Sequence, residues 1–381
     1  MINTRNLFNS IKKDNINFFT GVPDSVLKNF TKLLSNNHKN HLLATNEGSA
    51  ISIGIGYHLS TKKIPCIYMQ NSGLSNAINP LISIAHKGIY SIPMLLLVGW
   101  RGSPGINDEP QHKIKGKITL NLLKLLGIKY IILNKDKDLI KLKKLILYAK
   151  KNSCPVACLI KKSTLKKINK NEKIKHPISN IFRKDVIKLI LQTIKKDTKI
   201  ISTTGYTSRE LYQIRKIENF KKGKDFYMVG GMGHANSVAT GISLNNNNQV
   251  VCLDGDGSLL MHFGSLHTSG MINRKNYKHI LLNNHSHESV GCQKIDFKKV
   301  NMEKLIKGFG YKKLITINNL KELKKKMKKF IKSKGPSFAE VKIKTGSLEN
   351  LKRPKNFIEI KKNFLKKLWK QRFIQLKKLR N

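Results

Sequence analysis

The sequence predicts two doubly wound α/β domains, each a parallel sheet with helices on both faces. Three observations predict this. Short β-like runs alternate with helical patterns along the chain, the connections are short, and one lysine-rich polar stretch interrupts the alternation midway. At 381 residues the chain can hold two domains with separate cores, and a hydrophobic content of 40% suits a folded protein rather than a disordered one.

In the first domain, residues 1–165, strands are expected at 17–21, 41–45, 64–70, 93–99, 129–133 and 155–161. Amphipathic or apolar helices are expected between them at 24–35, 48–60, 75–84, 118–126 and 136–151. The polar interruption reads as a linker at 166–180. The alternation then resumes in a second domain at 181–345, with strands at 199–204, 226–230, 249–254, 279–283, 313–317 and 337–344. Its helices are expected at 184–195, 208–214, 234–244, 258–271, 302–309 and 320–334. A basic tail, 346–381, carries an amphipathic pattern (Phe364, Leu365, Leu368, Trp369, Phe373) that is expected to pack on the body or on a neighbouring subunit.

The formal charge of +51 raises a nucleic-acid hypothesis. The lysines, however, are spread over most of the helices, without an aromatic-interleaved patch or a nucleic-acid motif. A solvated basic surface with salt-sensitive attraction to polyanions is expected, not a specific nucleic-acid site. No apolar run reaches the roughly 18–20 residues of a membrane helix, and the opening residues Met1 to Asn6 lack a signal-peptide pattern, so a cytoplasmic location is expected. Four of the five cysteines lie in apolar surroundings and read as buried free thiols. Cys154-x-x-x-Cys158 lacks a second ligand pair and is not read as a zinc site.

The strongest chemical signal lies in the second domain. The apolar run Val250 to Leu253 leads into Asp254-Gly255-Asp256-Gly257-Ser258, and a second apolar run, Ile280 to Leu282, ends in Asn283-Asn284. Two adjacent parallel strands would bring Asp256 and Asn284 together at their carboxyl ends, the edge where open α/β sheets bind ligands. A carboxylate and an amide oxygen are hard donors suited to Mg²⁺ and its phosphate oxygens. Gly255 and Gly257 would let the backbone approach a phosphate, with the helix expected from Ser258 offering its free amides. A lone Asp-Gly turn would mean nothing more. In the first domain, Glu47 stands just before an apolar, glycine-containing helix, where burial would cost several kcal/mol unless the acid is paired or protonated. A helix N-terminal carboxylate is the alternative reading. Gly230-Gly231-Met232-Gly233-His234 follows an expected strand as a glycine turn, a weak signal alone.

The Asp256/Asn284 arrangement resembles the diphosphate-binding motif of thiamine-diphosphate enzymes. The resemblance implies a pyrimidine-binding domain followed by a diphosphate-binding domain. It implies that Mg²⁺ is held by Asp256, the Asn284 side chain and the Ser286 carbonyl, and that Glu47 shares a proton with N1′ of the aminopyrimidine. The Gly230 carbonyl would take the 4′-amino group, and Met232 would wedge the cofactor into its bent form. Because Glu47 and the metal motif lie on different domains, the resemblance also implies a homodimer or higher assembly with sites between subunits.

Two further segments, Tyr68 to Asn76 and Gly99-Trp100-Arg101-Gly102 with Asp108-Glu109-Pro110-Gln111-His112, closely resemble phosphonopyruvate decarboxylases. Gly21 to Ser25, Thr204 to Glu210 and His287 to Gly291 agree with it. The implied reaction is decarboxylation of 3-phosphonopyruvate to phosphonoacetaldehyde and carbon dioxide, in phosphonate biosynthesis. Sulfopyruvate decarboxylases are similar too, their two chains corresponding to the two domains. A carboligase on the same cofactor, or a catalytically inactive polyanion-binding protein, stays open as an alternative. Asp24 and His112, which follow strand ends, are candidates for acid–base relay, although His112 also reads as a surface loop histidine. Ser25, Asn71, Ser72 and Gln111 are candidates to bind the substrate's carboxylate or phosphonate, and Arg101 and His262 to face its charge. His285, Ser286 and Cys292 depart from the smaller residues of the family pattern.

Overall fold

The computed structural model describes residues 1–34, 40–168, 179–295, 297 and 300–365. Most of the expected linker, and the tail positions Leu368, Trp369 and Phe373, lie outside them. The chain divides into two compact units, Met1–Glu172 with His287–Gln293, and Lys173–Ser286 with Lys294–Asn381.

The first unit holds a six-stranded sheet of β1 (Phe19–Gly21), β2 (His41–Leu43), β3 (Cys66–Gln70), β4 (Met94–Trp100), β5 (Lys129–Leu133) and β6 (Pro155–Lys161). Its order is β2-β1-β3-β4-β6-β5, and every pairing is parallel. The second unit holds β7 (Lys199–Ser202), β8 (Lys224–Tyr227), β9 (Val250–Gly255) and β10 (Tyr277–Asn283). A ribbon of β11 (Ser286–His287) and β12 (Gln293–Lys294) follows, then β13 (Lys313–Ile317) and β14 (Ser337–Lys342). The second sheet runs β13-β14-β10-β9-β7-β8, again all parallel. With the ribbon set aside, this is the strand order of the first sheet read from its other edge.

Each sheet is covered on both faces, as parallel sheets require. Along β4, Leu95 and Leu97 enter one apolar layer with Leu7, Ile11 and Val156, while Met94, Leu96, Val98 and Trp100 enter the other with Ile51 and Leu123. In the second unit, Val251, Leu253, Ile280 and Leu282 line one layer; Val250, Cys252, Leu281 and Phe338 line the other. The continuous apolar runs of the central strands follow from this two-sided burial.

Several boundaries differ from expectation. A helix at Thr4–Lys13 was not foreseen. Asn3 caps it by accepting from the Arg5 N–H, and Leu7 and Ile11 are buried. The first expected helix begins at Lys28, not 24, because Asp24 folds back on the Val26 and Leu27 N–H groups. The helix expected at 118–126 runs Pro110–Leu125, with Pro110 opening its first turn, where a missing N–H costs nothing. The helix expected at 258–271 starts at Asp256 and breaks into Asp256–Met261 and Ser265–Met271, and the strand expected at 226–230 is Lys224–Tyr227.

The long helix Pro110–Leu125 crosses the end of β4 at a glycine pair. An ideal Cβ on Gly116 would lie 1.7 Å from the Gly102 carbonyl oxygen, and one on Gly102 would lie 1.8 Å from the His112 carbonyl oxygen. The Trp100 indole N–H donates to the Gly116 carbonyl at 3.0 Å in the same contact. Alanine in a helix ordinarily gains about 1 kcal/mol over glycine. At Gly116 the clash dominates, and Gly116→Ala should lower stability by about 1–3 kcal/mol net, read as a shift in the urea midpoint at constant m-value.

Candidate active site

In the first unit, the ends of β1 to β4 gather the polar groups. Asp24, fully buried, accepts from the Val26 and Leu27 N–H groups at 3.0 and 3.1 Å and from Gln70 Nε2 at 2.7 Å. Gly99 makes room for it, since an ideal Cβ there would sit 1.9 Å from Asp24 Oδ2. Burial pushes the Asp24 carboxyl up, opposed by these hydrogen bonds and by the Arg101 charge. Ser72 Oγ donates to Gln70 Oε1 at 2.8 Å, so Ser72, Gln70 and Asp24 form one relay of hydrogen bonds.

Glu47 opens the helix Glu47–Thr61, whose cap is Asn46, and is only 5% exposed. Its Oε2 accepts from Asn76 Nδ2 at 2.8 Å. Gly73 abuts its carboxyl group, since an ideal Cβ there would lie 2.3 Å from Glu47 Oε1. A buried carboxylate held by one neutral amide still offers a face for a further donor.

Arg101 is held by Asp108, with Nε donating at 2.7 Å and Nη2 completing a bidentate pair, while Nη1 donates to Ser25 Oγ at 3.0 Å. Burial works against the Asp108 charge, but the Arg101 hydrogen bonds and charge and the Gly102 N–H outweigh it and hold the carboxyl low. Asn71 donates to the Arg101 carbonyl at 3.0 Å and to Thr119 Oγ1 at 2.9 Å, and accepts the Arg101 N–H at 3.1 Å. Its amide therefore positions the Arg101 backbone. Gln111 donates to Glu109 Oε2 at 2.9 Å, leaving its own buried Oε1 without a hydrogen-bond partner among the described residues. His112 sits in the first turn of Pro110–Leu125, not on a loop.

In the second unit, β9 and β10 are neighbours with Gly255 in register with Leu282, which sets Asp256 and Asn284 side by side beyond the sheet. The Ser286 N–H donates to both Asp256 Oδ2 (3.2 Å) and Asn284 Oδ1 (3.0 Å), so two hard oxygens converge on one point of the backbone. Asp256 is 4% exposed and forms no ion pair among the described residues. Burial pushes its carboxyl up to about 6 against the pull of the Gly257, Ser286, His285 and Asn284 N–H groups. A carboxylate in that position gains from a cation. An ideal Cβ at Gly255 would meet nothing within 4 Å, leaving space beside the pair. This donor set fits a divalent cation that keeps phosphate oxygens in its shell.

The neighbouring turn is tied to the same edge. Ser258 Oγ is 2.8 Å from Thr203 Oγ1 and accepts the Gly233 N–H at 3.1 Å, and Thr204 Oγ1 accepts the Gly230 N–H at 3.2 Å. Gly230, Gly231 and Gly233 all have positive φ, a run only glycine adopts readily. It leaves Met232 half-buried at the apex. His262 stacks on His234 with centroids 4.3 Å apart; burial, then the His234 charge, lowers its pKa.

Sequence reasoning did not assign roles to Asn76, Gln70, Asp108 or Thr203. The first three stand inside the segments singled out above, but their partners lie 29 and 46 residues away or on the far side of a turn. Only the fold pairs them.

Two family models match the chain, the N-terminal TPP binding domain of thiamine pyrophosphate enzymes over residues 4–125 and the C-terminal TPP binding domain over residues 203–341. The chain belongs to the thiamine pyrophosphate enzyme family. Among its curated relatives is a phosphonopyruvate decarboxylase of Streptomyces viridochromogenes, 31% identical over 88% of this chain and 87% of the relative. Another, from Streptomyces hygroscopicus, is 30% identical over 88% and 86%. The sulfopyruvate decarboxylase subunit beta of Methanocaldococcus jannaschii is 40% identical over 38% of this chain and 75% of the subunit. No helix among the described residues is long and apolar enough to cross a membrane.

Burial, and then the Arg101 charge, lowers the His112 pKa from 6.5 to about 4. Unfolding therefore takes up a proton between these values, so stability should fall as pH drops from about 6.5 toward 4. His112→Gln should flatten that part of a stability-versus-pH curve, and the imidazole NMR signals of His112 should stay unshifted between pH 8 and about pH 5.

Proposed function

We propose that the chain is a Mg²⁺-dependent decarboxylase that converts 3-phosphonopyruvate to phosphonoacetaldehyde and carbon dioxide, a step of phosphonate biosynthesis. The observation that carries this reading is similarity over nearly the whole chain to two relatives named phosphonopyruvate decarboxylase. The first-unit edge supports it, because Asp24, Gln70, Ser72, Arg101 and Asp108 concentrate polar groups and one paired guanidinium at strand ends.

Thiamine diphosphate, when bound, supplies the electron sink that takes up the pair left as carbon dioxide departs. The chain's own residues do the rest. Asp256, Asn284 and the Ser286 carbonyl would hold Mg²⁺, with Gly255, Gly257 and Ser258 beside the diphosphate. Glu47 holds a proton at N1′ of the aminopyrimidine, kept in place by Asn76. The Gly230 carbonyl would take the 4′-amino group, and Met232 would lie against the cofactor. Asp24 and His112 move protons at the substrate. Ser25, Asn71, Ser72, Arg101, Gln111 and His262 are assigned to substrate binding, with Asn71 acting through the Arg101 backbone. Glu47 and Asp256 meet one cofactor from two subunits of a homo-oligomer.

A second reading, decarboxylation of sulfopyruvate, is favoured by the 40% identity to a sulfopyruvate decarboxylase subunit, although that match spans only 38% of the chain. Carbon dioxide release from phosphonopyruvate, sulfopyruvate and pyruvate in parallel separates the readings. Fast release from phosphonopyruvate alone is expected. Glu47→Gln should lower kcat by about 10²–10⁴-fold while cofactor still binds, and Asp256→Ala should abolish Mg²⁺-dependent cofactor retention. Preference for sulfopyruvate would replace the substrate assignment, and no release from any of the three would overturn the reading.

A further inference from the structure

Beneath the Asp256 edge, in the apolar layer between the second sheet and the helix Ala235–Leu244, lies a polar cluster that no step above uses. Cys252 and Asp254 point to the same side of β9, and His279 stands in register with Cys252 on β10. Their Sγ, carboxylate oxygen and ring nitrogen all lie within 4.8 Å of one another, and the three side chains are 0–1% exposed.

The hydrogen bonds around the cluster orient its side chains. His279 Nδ1 lies 3.2 Å from Asn236 Oδ1, which also accepts from Ser269 Oγ at 3.0 Å and from the Tyr277 hydroxyl. Asn236 Nδ2 donates to Ser265 Oγ at 2.9 Å, so the facing atom is the amide oxygen, which can only accept. His279 Nδ1 therefore donates to Asn236, and Nε2 is turned into the cluster. Asp254 Oδ1 accepts the Gly255 N–H at 2.9 Å, which leaves Oδ2 facing Nε2. His279 Nε2 and Asp254 Oδ2 are 3.5 Å apart, and neither has a hydrogen-bond partner among the described residues. Facing each other in a dry core, the two atoms need a positive centre between them, a proton or a metal ion.

We propose that Cys252, Asp254 and His279 form a structural site for a divalent transition metal of the zinc type. The donor set is the one such ions take, thiolate, imidazole and carboxylate. The spacing agrees, because a tetrahedral shell with bonds of about 2.0–2.1 Å sets its nitrogen and oxygen ligands about 3.3 Å apart. Charge agrees as well. Loss of the Cys252 S–H proton on binding gives one thiolate, one carboxylate and one neutral imidazole around a dication, a sum of zero that a core can hold. Asn236 would then be the partner that fixes the ligating tautomer, a recurrent feature of histidine–metal sites. The three side chains supply three ligands of its shell. The site is separate from the hard-oxygen pair Asp256 and Asn284, and it does not depend on the substrate proposed above.

The test is metal content and cobalt spectroscopy on the full chain. Protein produced in zinc-containing medium and dialysed against metal-free buffer should keep about one zinc per chain. Produced in cobalt medium, it should show a near-ultraviolet thiolate-to-cobalt band. Cys252→Ala and the volume-matched His279→Gln should each lose the band and at least ten-fold of the retained metal, while Cys292→Ser, at the exposed thiol, and Asp256→Asn should keep both. Circular dichroism confirms that each variant is folded, and the wild-type readings decide the matter if one is not. Folded wild type with no retained metal and no cobalt band would overturn the proposal, leaving a proton alone between Asp254 and His279. So would a band that survives Cys252→Ala and disappears in Cys292→Ser.

Discussion

A parallel sheet covered on both faces leaves only its strand ends open to chemistry, and both units are organised by that constraint. Apolar layers occupy both faces of β4 and of β9 and β10. The candidate site residues accordingly follow β1 to β4, and β7, β9 and β10. Asp24, Glu47, Asn71 and Arg101 occupy the first edge; Thr203, Asp256 and Asn284 occupy the second.

The carboxylates at these edges are buried, and the desolvation cost, several kcal/mol for an unpaired ion, is met in a different way at each. Asp24 takes three hydrogen bonds. Asp108 takes a bidentate guanidinium. Glu47 has one amide from Asn76, and Asp256 only backbone N–H groups. Asp24 keeps a raised carboxyl despite its three hydrogen bonds, whereas the guanidinium holds Asp108 low. Asp256, with backbone N–H groups alone, is raised as well.

Much of this was legible in the sequence, for identifiable reasons. Strands β5 and β6 were placed to the residue because their apolar runs are bounded by turn residues, and Asp256 and Asn284 were paired because a strand precedes each at a spacing that makes neighbours. The helix Thr4–Lys13 escaped because its signal is only Asn3 as cap with Leu7 and Ile11 one turn apart. The start of Pro110–Leu125 escaped because its first turns are polar, and its anchor, the Gly102–Gly116 contact, joins residues on separate elements. Local pattern carries no information about which distant carbonyl a glycine must clear. Nor does it tell that His279, an ordinary-looking strand residue, stands opposite Cys252.

The repeated strand order has a genetic consequence. No strand of either six-stranded sheet is borrowed from the other half of the chain, since the first sheet closes by Lys161 and the second opens at Lys199. Among the described residues between these points, none adds a strand to either sheet. What it provides is equal copy number of the two halves from a single reading frame. A split of the coding sequence there would leave the strands of each sheet on one chain and hand the matching of the two halves to the cell.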